Sequence, residues 1–137
     1  MVPRKTNPKK IYCIDHALVT SVTSGILVNS GHLLENLVFT ALRRVSTDIY
    51  YCKTKSGLEV DFIAQLPDRS RLLVQVSESI AESQTRKREV AALTEAMAEL
   101  GLRSGTIVTR SDEEEIDVDG GKIEVVPAWR FLLKLAR

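Results

Sequence analysis

The spacing of apolar residues changes several times along the chain, and each change predicts an element. From Leu33 to Val45, the residues Leu34, Leu37, Val38, Ala41, Leu42 and Val45 cover one broad face at about 100° per residue, which predicts a helix opened by Ser30 or Gly31. Asn36, Thr40, Arg43 and Arg44 share the opposite face. Glu35 falls on the apolar side, between Phe39 and Leu42. A carboxylate there needs a partner, because burying it unpaired is costly.

The period then drops to two. Asp48 to Thr54 is aromatic and β-rich, and Lys55-Ser56-Gly57 reads as a turn. Leu58 to Leu66 alternates, with Leu58, Val60, Phe62, Ala64 and Leu66 facing one way and Glu59, Asp61, Ile63 and Gln65 the other. Pro67 to Ser70 is a second turn. In Arg71 to Ser79, Leu73, Gln75 and Ser77 share one face and Leu72, Val74 and Val76 the other. Its central run is apolar on both faces, as in a strand covered on both sides.

Glu82 to Leu100 reads as a long helix with a stripe of Val90, Leu93, Met97 and Leu100, stopped by Gly101. Thr106 to Thr109 is a short buried strand. Ile116 to Val126 forms a hairpin around Asp119-Gly120-Gly121, and Trp129 to Leu135 a short helix behind Pro127. At the other end, residues 1–10 carry four cations and two prolines and read as a basic tail or linker end. Ile11 to Ile14 reads as a strand, and Asp15 caps a short helix through Ala17, Leu18 and Val22 that Gly25 stops. The expected organisation is one domain over 11–137. Its fold class is α/β: a mixed sheet flanked by helices on both faces, with a C-terminal hairpin and short helix. The helix between the third strand and the next implies a right-handed crossover to a parallel neighbour.

Composition leaves this picture intact: 44% hydrophobic and 27% charged residues are ordinary for a globular domain of 137 residues. A net charge of +1 argues against attachment to DNA or membrane by bulk charge, while leaving local basic patches open. Cys13 and Cys52 each sit in an apolar run and read as buried thiols in a reducing compartment. No apolar stretch approaches a membrane span and no signal peptide precedes the first strand, so a cytoplasmic protein is expected.

Several chemistries are absent. The chain has no phosphate-loop motif, no dinucleotide fingerprint and no nucleophile elbow. Cys13-x-x-His16, with His32 and Cys52, supplies zinc-compatible atoms, but it is the one short-spaced pair, so a zinc site is not expected. The acidic run from Asp112 to Glu115 lacks the alternation and central glycine of a calcium loop and reads as a solvated edge. Arg86, Lys87 and Arg88 open a helix against its dipole, but a solvated face explains them best, as it does Arg43 and Arg44.

The informative set is Glu35, Glu59, Asp61, Gln75 and Ser77. A metal-dependent phosphodiesterase needs two or three hard oxygen ligands and a cation near the attacking water. Consecutive strands bearing Asp61 and the Gln75–Ser77 pair, with Glu35 approaching from a helix, could bring such groups together. The bland alternative has Glu35 accepting hydrogen bonds from a buried backbone or pairing with Lys53 or Lys55 as a structural ion pair. In that case Glu59 is a surface strand residue, and Gln75 and Ser77 form a polar network holding Glu35 and Asp61.

Longer blocks carry a resemblance. They are Pro8-Lys9-Lys10-Ile11-Tyr12, Asp15, Gly31-His32-Leu33-Leu34-Glu35-Asn36-Leu37-Val38, Thr54-Lys55-Ser56-Gly57-Leu58-Glu59-Val60-Asp61-Phe62, Gln75-Val76-Ser77, Thr85-Arg86-Lys87-Arg88-Glu89 and Val126-Pro127-Ala128-Trp129. Together they resemble the PD-(D/E)XK nuclease superfamily. More specifically, they are similar to the domain of unknown function C-terminal to the motor in a family of archaeal and bacterial AAA+ ATPases. The resemblance implies a restriction-endonuclease-like fold, and that the chain is a detached or separately made part of a larger ATPase. It assigns catalytic positions to Glu35, Asp61, Gln75 and Ser77. Mg²⁺ is the implied cofactor, not tightly bound, with Glu35, Asp61 and Glu59 as ligands. The chain departs from the pattern where it matters most: Gln75 stands where an active member has an acid, and Ser77 where it has the lysine. An amide oxygen is a weaker Mg²⁺ ligand than a carboxylate, and a serine holds no positive charge beside a water. Lys55 or Lys53 is the nearest replacement in sequence. The leading expectation is a nuclease-fold accessory module with little or no catalysis, contacting nucleic acid or a partner such as an ATPase motor domain of the same or a neighbouring chain. The alternatives are an active Mg²⁺-dependent nuclease with a relocated lysine, and a protein-interaction domain that forms a homodimer.

Overall fold

A computed structural model describes Tyr12 and residues 30–137. The expected basic tail, the strand expected at Ile11 to Ile14 (apart from Tyr12), the short helix from Asp15, and the Cys13–His16 pair lie outside the described residues.

The described elements are α1 (Ser30–Val45), β1 (Asp48–Lys53), β2 (Glu59–Gln65), β3 (Arg71–Val76), α2 (Ser83–Leu100), β4 (Ser104–Thr109), β5 (Glu114–Val118), β6 (Gly121–Pro127) and α3 (Ala128–Leu135). They form the expected α/β fold. One six-stranded mixed sheet runs in the order β1-β2-β3-β4-β6-β5. β3, β4 and β6 are parallel neighbours, and an antiparallel strand pairs on each side of them. The long helix α2 connects β3 to its parallel neighbour β4.

The helices divide between the two faces. Ala92, Leu93, Ala96 and Met97 of α2 pack on Val60, Leu73, Ile107, Ile123 and Val125. Val38 and Leu42 of α1, with Ala128 and Phe131 of α3, pack on Phe62, Ala64, Val74, Val108 and Val126. Sheets that carry parallel strands need both faces covered, and the doubly apolar runs of β3, β4 and β6 meet that need.

Local chemistry sets the element ends. Glu82 caps α2 by accepting the Gln84 and Thr85 amides at 2.8 and 2.7 Å, an anion where the helix dipole favours one. Gly101 ends the helix in the left-handed conformation at φ 67°. Gly121 sits so close to the Arg103 carbonyl that no Cβ fits between them.

Three expectations need correction. On α2 the buried stripe is centred on Ala92, Leu93, Ala96 and Met97 and includes Glu89, while Val90 and Leu100 are only partly buried. On α1, Asn36 is buried although periodicity puts it among the polar residues. The third correction creates the site. The alternation expected across Leu58 to Leu66 is interrupted by a bulge: Cys52 pairs with Val60 and Tyr50 with Ile63, so Asp61 and Phe62 together oppose Tyr51. The extra residue flips the phase. Val60 and Ile63 pack toward α2, whereas Phe62 and Ala64 pack toward α1 and α3.

Candidate functional site

Next to the bulge, the β2–β3 ladder ends at the Phe62–Val74 pair, and beside Asp61 side chains continue it. The Asp61 amide donates to Gln75 Oε1 at 3.0 Å, and Asp61 Oδ2 accepts the Val76 amide at 2.9 Å. Each strand thus supplies a side-chain acceptor for the other's backbone. Gln75 uses its other end as well: Nε2 donates to Oε2 of Glu89 on α2. Glu89 is 4% exposed, and its second oxygen accepts Arg88 Nη2 at 2.8 Å. A buried carboxylate needs such partners. The result is a relay from Arg88 through Glu89 and Gln75 to the bulged backbone.

These groups line one cleft of about 550 Å³, together with His32, Glu35, Gly57 and Glu59. Glu35 reaches it from the first turns of α1, where Tyr12 Oη donates to Oε1 at 2.9 Å and His32 Nδ1 stands 4.0 Å from Oε2. The Tyr12 ring stacks on Phe39 at 4.0 Å between centroids. Its burial, then the hydrogen bond to Glu35, raise its pKa well above the ordinary tyrosine value. Glu59 lies at the mouth as an exposed residue. Desolvation, followed by a hydrogen bond to Glu59, pushes Tyr51 up to about 12.

Glu35, Glu59, Asp61 and Gln75 are therefore brought to one cleft, and Ser77 and Lys55 are not among the residues lining it. β3 ends at Val76, and beyond it Ser77 Oγ donates to the Ser79 carbonyl at 3.0 Å. Lys55 is exposed in a turn docked on α2, its amide held by Glu99 Oε1 at 2.9 Å. Lys53 passes beside Gly57 without joining the cleft wall. The guanidinium in the wall belongs to Arg88. Sequence reasoning placed Arg88 on a solvated face and passed over Glu89. Glu89 carries the same signal that marked Glu35: it lies three residues before Ala92 and four before Leu93, on the apolar face of its helix.

The polar groups of the cleft are largely engaged with one another. Asp61 Oδ2 is committed to a backbone amide, position 75 offers a neutral amide engaged at both ends, and Arg88 neutralises Glu89. Among the described residues no group of three His, Cys, Asp or Glu side chains could hold a metal ion. What the arrangement does is hold a bulge open at fixed geometry and present a predominantly anionic cleft to solvent.

The remaining charges of interest are mostly structural. Asp112 Oδ2 accepts Ser79 Oγ and the Ile80 amide at 2.6 and 2.8 Å, and these bonds hold its carboxyl below the usual range. Arg86 makes a two-pronged pair with Glu114, and Arg130 pairs with Glu113. The acidic run thus clamps the start of α2 and α3 to the sheet rather than forming only a solvated edge. Cys52 is a half-buried free thiol whose pKa is raised by burial, then by Glu99. No described helix is long and apolar enough to cross a membrane.

Fold and cleft together define a three-layer α/β domain whose polar centre is a hydrogen-bonded bulge. The chain belongs to the family described as Domain of unknown function (DUF4143), whose pattern matches residues 30–131. It is also similar to Uncharacterized protein MJ1544 of Methanocaldococcus jannaschii, with 35% identity over 134 residues covering 90% of this chain. The match spans 29% of that relative's length.

Proposed function

We propose that this domain is a non-catalytic accessory module with a nuclease-like core, working in the cytoplasm beside an AAA+ motor and contacting nucleic acid or a protein partner rather than cutting a substrate. The observation that carries this reading is the relay from Arg88 to the bulge. The Asp61 amide and carboxylate, Gln75 and Glu89 satisfy one another, so the residues that would hold a metal in a cleaving enzyme are used as structure. A Gln at 75 supports this arrangement without a metal ion, because its Nε2 donates to the Glu89 oxygen that Arg88 leaves open. The match to a minor part of a longer archaeal protein accords with a module carried in a larger assembly.

The test is cleavage of single-stranded, double-stranded and branched DNA with Mn²⁺ by the parent and by Asp61→Ala, both checked by circular dichroism. We expect no metal-dependent cleavage by either. Robust cleavage by the parent, lost in a folded Asp61→Ala protein, would overturn the reading. It would favour the active-nuclease alternative and make Arg88, ahead of Lys55 and Lys53, the first cation to replace.

A further inference from the structure

A second concavity lies at the far end of β2. It is a groove of about 500 Å³ between the end of α1, the start of β1 and the turn after β2, and Arg43, Arg44 and Arg69 line it with Asp48 as the one opposing carboxylate. The floor is stapled. Buried Ser46 donates Oγ to the Gln65 carbonyl at 2.6 Å and accepts the Asp48 amide at 3.1 Å, while its own amide closes α1 on Leu42 at 2.8 Å. The wall is held as well. Arg43 Nη1 donates to the Thr47 carbonyl at 2.5 Å, and the Arg69 amide donates to the Leu66 carbonyl at 2.9 Å. Arg69 takes φ 68°, a conformation that favours glycine, at an exposed position where its side chain packs against no core.

We propose that this groove seats the phosphodiester backbone of a nucleic acid. The inference names the contact surface for the accessory reading above, and puts it away from the anionic cleft. Guanidinium groups present planar forks that match phosphate oxygens, and they shed water more readily than ammonium groups do. Three of them around one open groove, in a chain whose net charge is only +1, concentrate positive charge where a polyanion can approach. The opposite end of the same strand repels it, since Glu35, Glu59, Asp61 and Glu89 there face a single arginine. A nucleic-acid backbone presents phosphates in series along an open groove, where each guanidinium fork can take one; an acidic protein surface is the alternative that competition by poly-glutamate distinguishes.

The experiment measures fluorescence anisotropy of labelled single-stranded and duplex DNA against salt. The proteins are the parent, Arg44→Gln with Arg69→Gln, and the charge-matched control Lys122→Gln with Lys134→Gln on β6 and α3. Arg43 is spared in the first pair because it also supports Thr47. Loss of two phosphate contacts should weaken binding about tenfold or more near ~100 mM salt and flatten the slope of log K against log[salt] by about 1.4–1.8. The lysine control should stay within about twofold of the parent. Absence of DNA binding by the parent, equal weakening by both pairs, or no change in the arginine pair would each overturn the assignment. So would competition by poly-glutamate as effective as by unlabelled DNA, which would transfer the groove to an acidic protein partner. None of these outcomes bears on whether the cleft cleaves, which the Mn²⁺ assay decides separately.

Discussion

The two ends of β2 solve the same structural problem in opposite ways. At the Glu59 end a bulge breaks the β1–β2 register, and beside it Gln75 and Asp61 continue the β2–β3 ladder with side-chain bonds, drawing in Glu89 and Arg88 from α2. At the Gln65 end the ladder continues to its pairing with Arg71 and Asp48, and Ser46 closes the remaining backbone groups. The consequence is a difference in what the charged residues are free to do. Around the cleft each polar group supports another, so substitutions there act on stability first. Around the groove the backbone is already satisfied without the guanidiniums of Arg44 and Arg69, so substitutions there act on binding first.

The largest effect should come from the centre of the relay. Gln75→Leu keeps the side-chain size but strips a partner from the Asp61 amide and from buried Glu89, and should cost about 2–4 kcal/mol in urea denaturation. A loss below ~1 kcal/mol would mean that water replaces the amide freely, and the contrast between the two ends would collapse. Gln75→Glu is more informative. It sets a second carboxylate against Glu89, and like charges at that range raise the folded-state pKa of the pair above the unfolded value. A raised carboxylate pKa makes the variant least stable above that pKa, with stability recovering as pH falls through it. The parent should show no such recovery. If Mg²⁺ or Mn²⁺ also restores the variant at neutral pH, the bulge retains the geometry of a metal site and lacks only the charge.

A spectroscopic prediction sharpens the same contrast. Tyr51 is pushed up to about 12 by desolvation first and by its hydrogen bond to Glu59 second. Ultraviolet titration of Glu59→Gln should bring Tyr51 down toward the ordinary value of 10.0, because the anion that opposes its ionisation is gone. Tyr51→Phe in the parent identifies the signal. The Arg44→Gln and Arg69→Gln changes, at the far end of β2, should leave it unmoved. A comparable shift from them would mean that the two ends share one electrostatic field.

How much of this could be read from the residues depends on the range of the interaction that decides each feature. Elements bounded by local chemistry were legible: Gly101 stops α2, Gly120 turns the β5–β6 hairpin at φ 84°, and Pro127 precedes α3. Glu35 was legible as a carboxylate on an apolar helix face. Glu89 carries the same mark, but its neighbours on the stripe are Ala92 and Ala96, which contribute little to a pattern dominated by Leu, Val and Met. The bulge was not legible. Leu58 to Leu66 alternates apart from Ile63, and the register breaks between β1 and β2 beside a partnership of Asp61 with Gln75, 14 positions away on the next strand. The basic groove was hidden for a related reason: Arg43 and Arg44 look solvated on their own helix, and only the return of the chain at Arg69 makes them part of a concavity.

The smallest effect tests the groove through its backbone. Arg69 holds φ 68° in a turn whose carbonyl and amide bonds to Leu66 and Ser70 are already made at 2.8–2.9 Å. For a residue with a Cβ this conformation costs about 1 kcal/mol, which glycine avoids. Glycine also gains freedom in the unfolded chain, and that offsets part of the relief. Arg69→Gly should therefore stabilise the fold slightly, by about 0.5 kcal/mol, raising the urea midpoint without changing the slope. The same protein should bind DNA more weakly than the parent and show a shallower salt dependence, because it lacks one phosphate contact. The two signs are opposed, so neither a general loss of structure nor a general gain of rigidity can produce both. A variant that is more stable and binds as well as the parent would leave the left-handed arginine without a role in the groove. One that is less stable would mean the side chain supports the turn through contacts of its own, making Arg69 structural in the way Gln75 is.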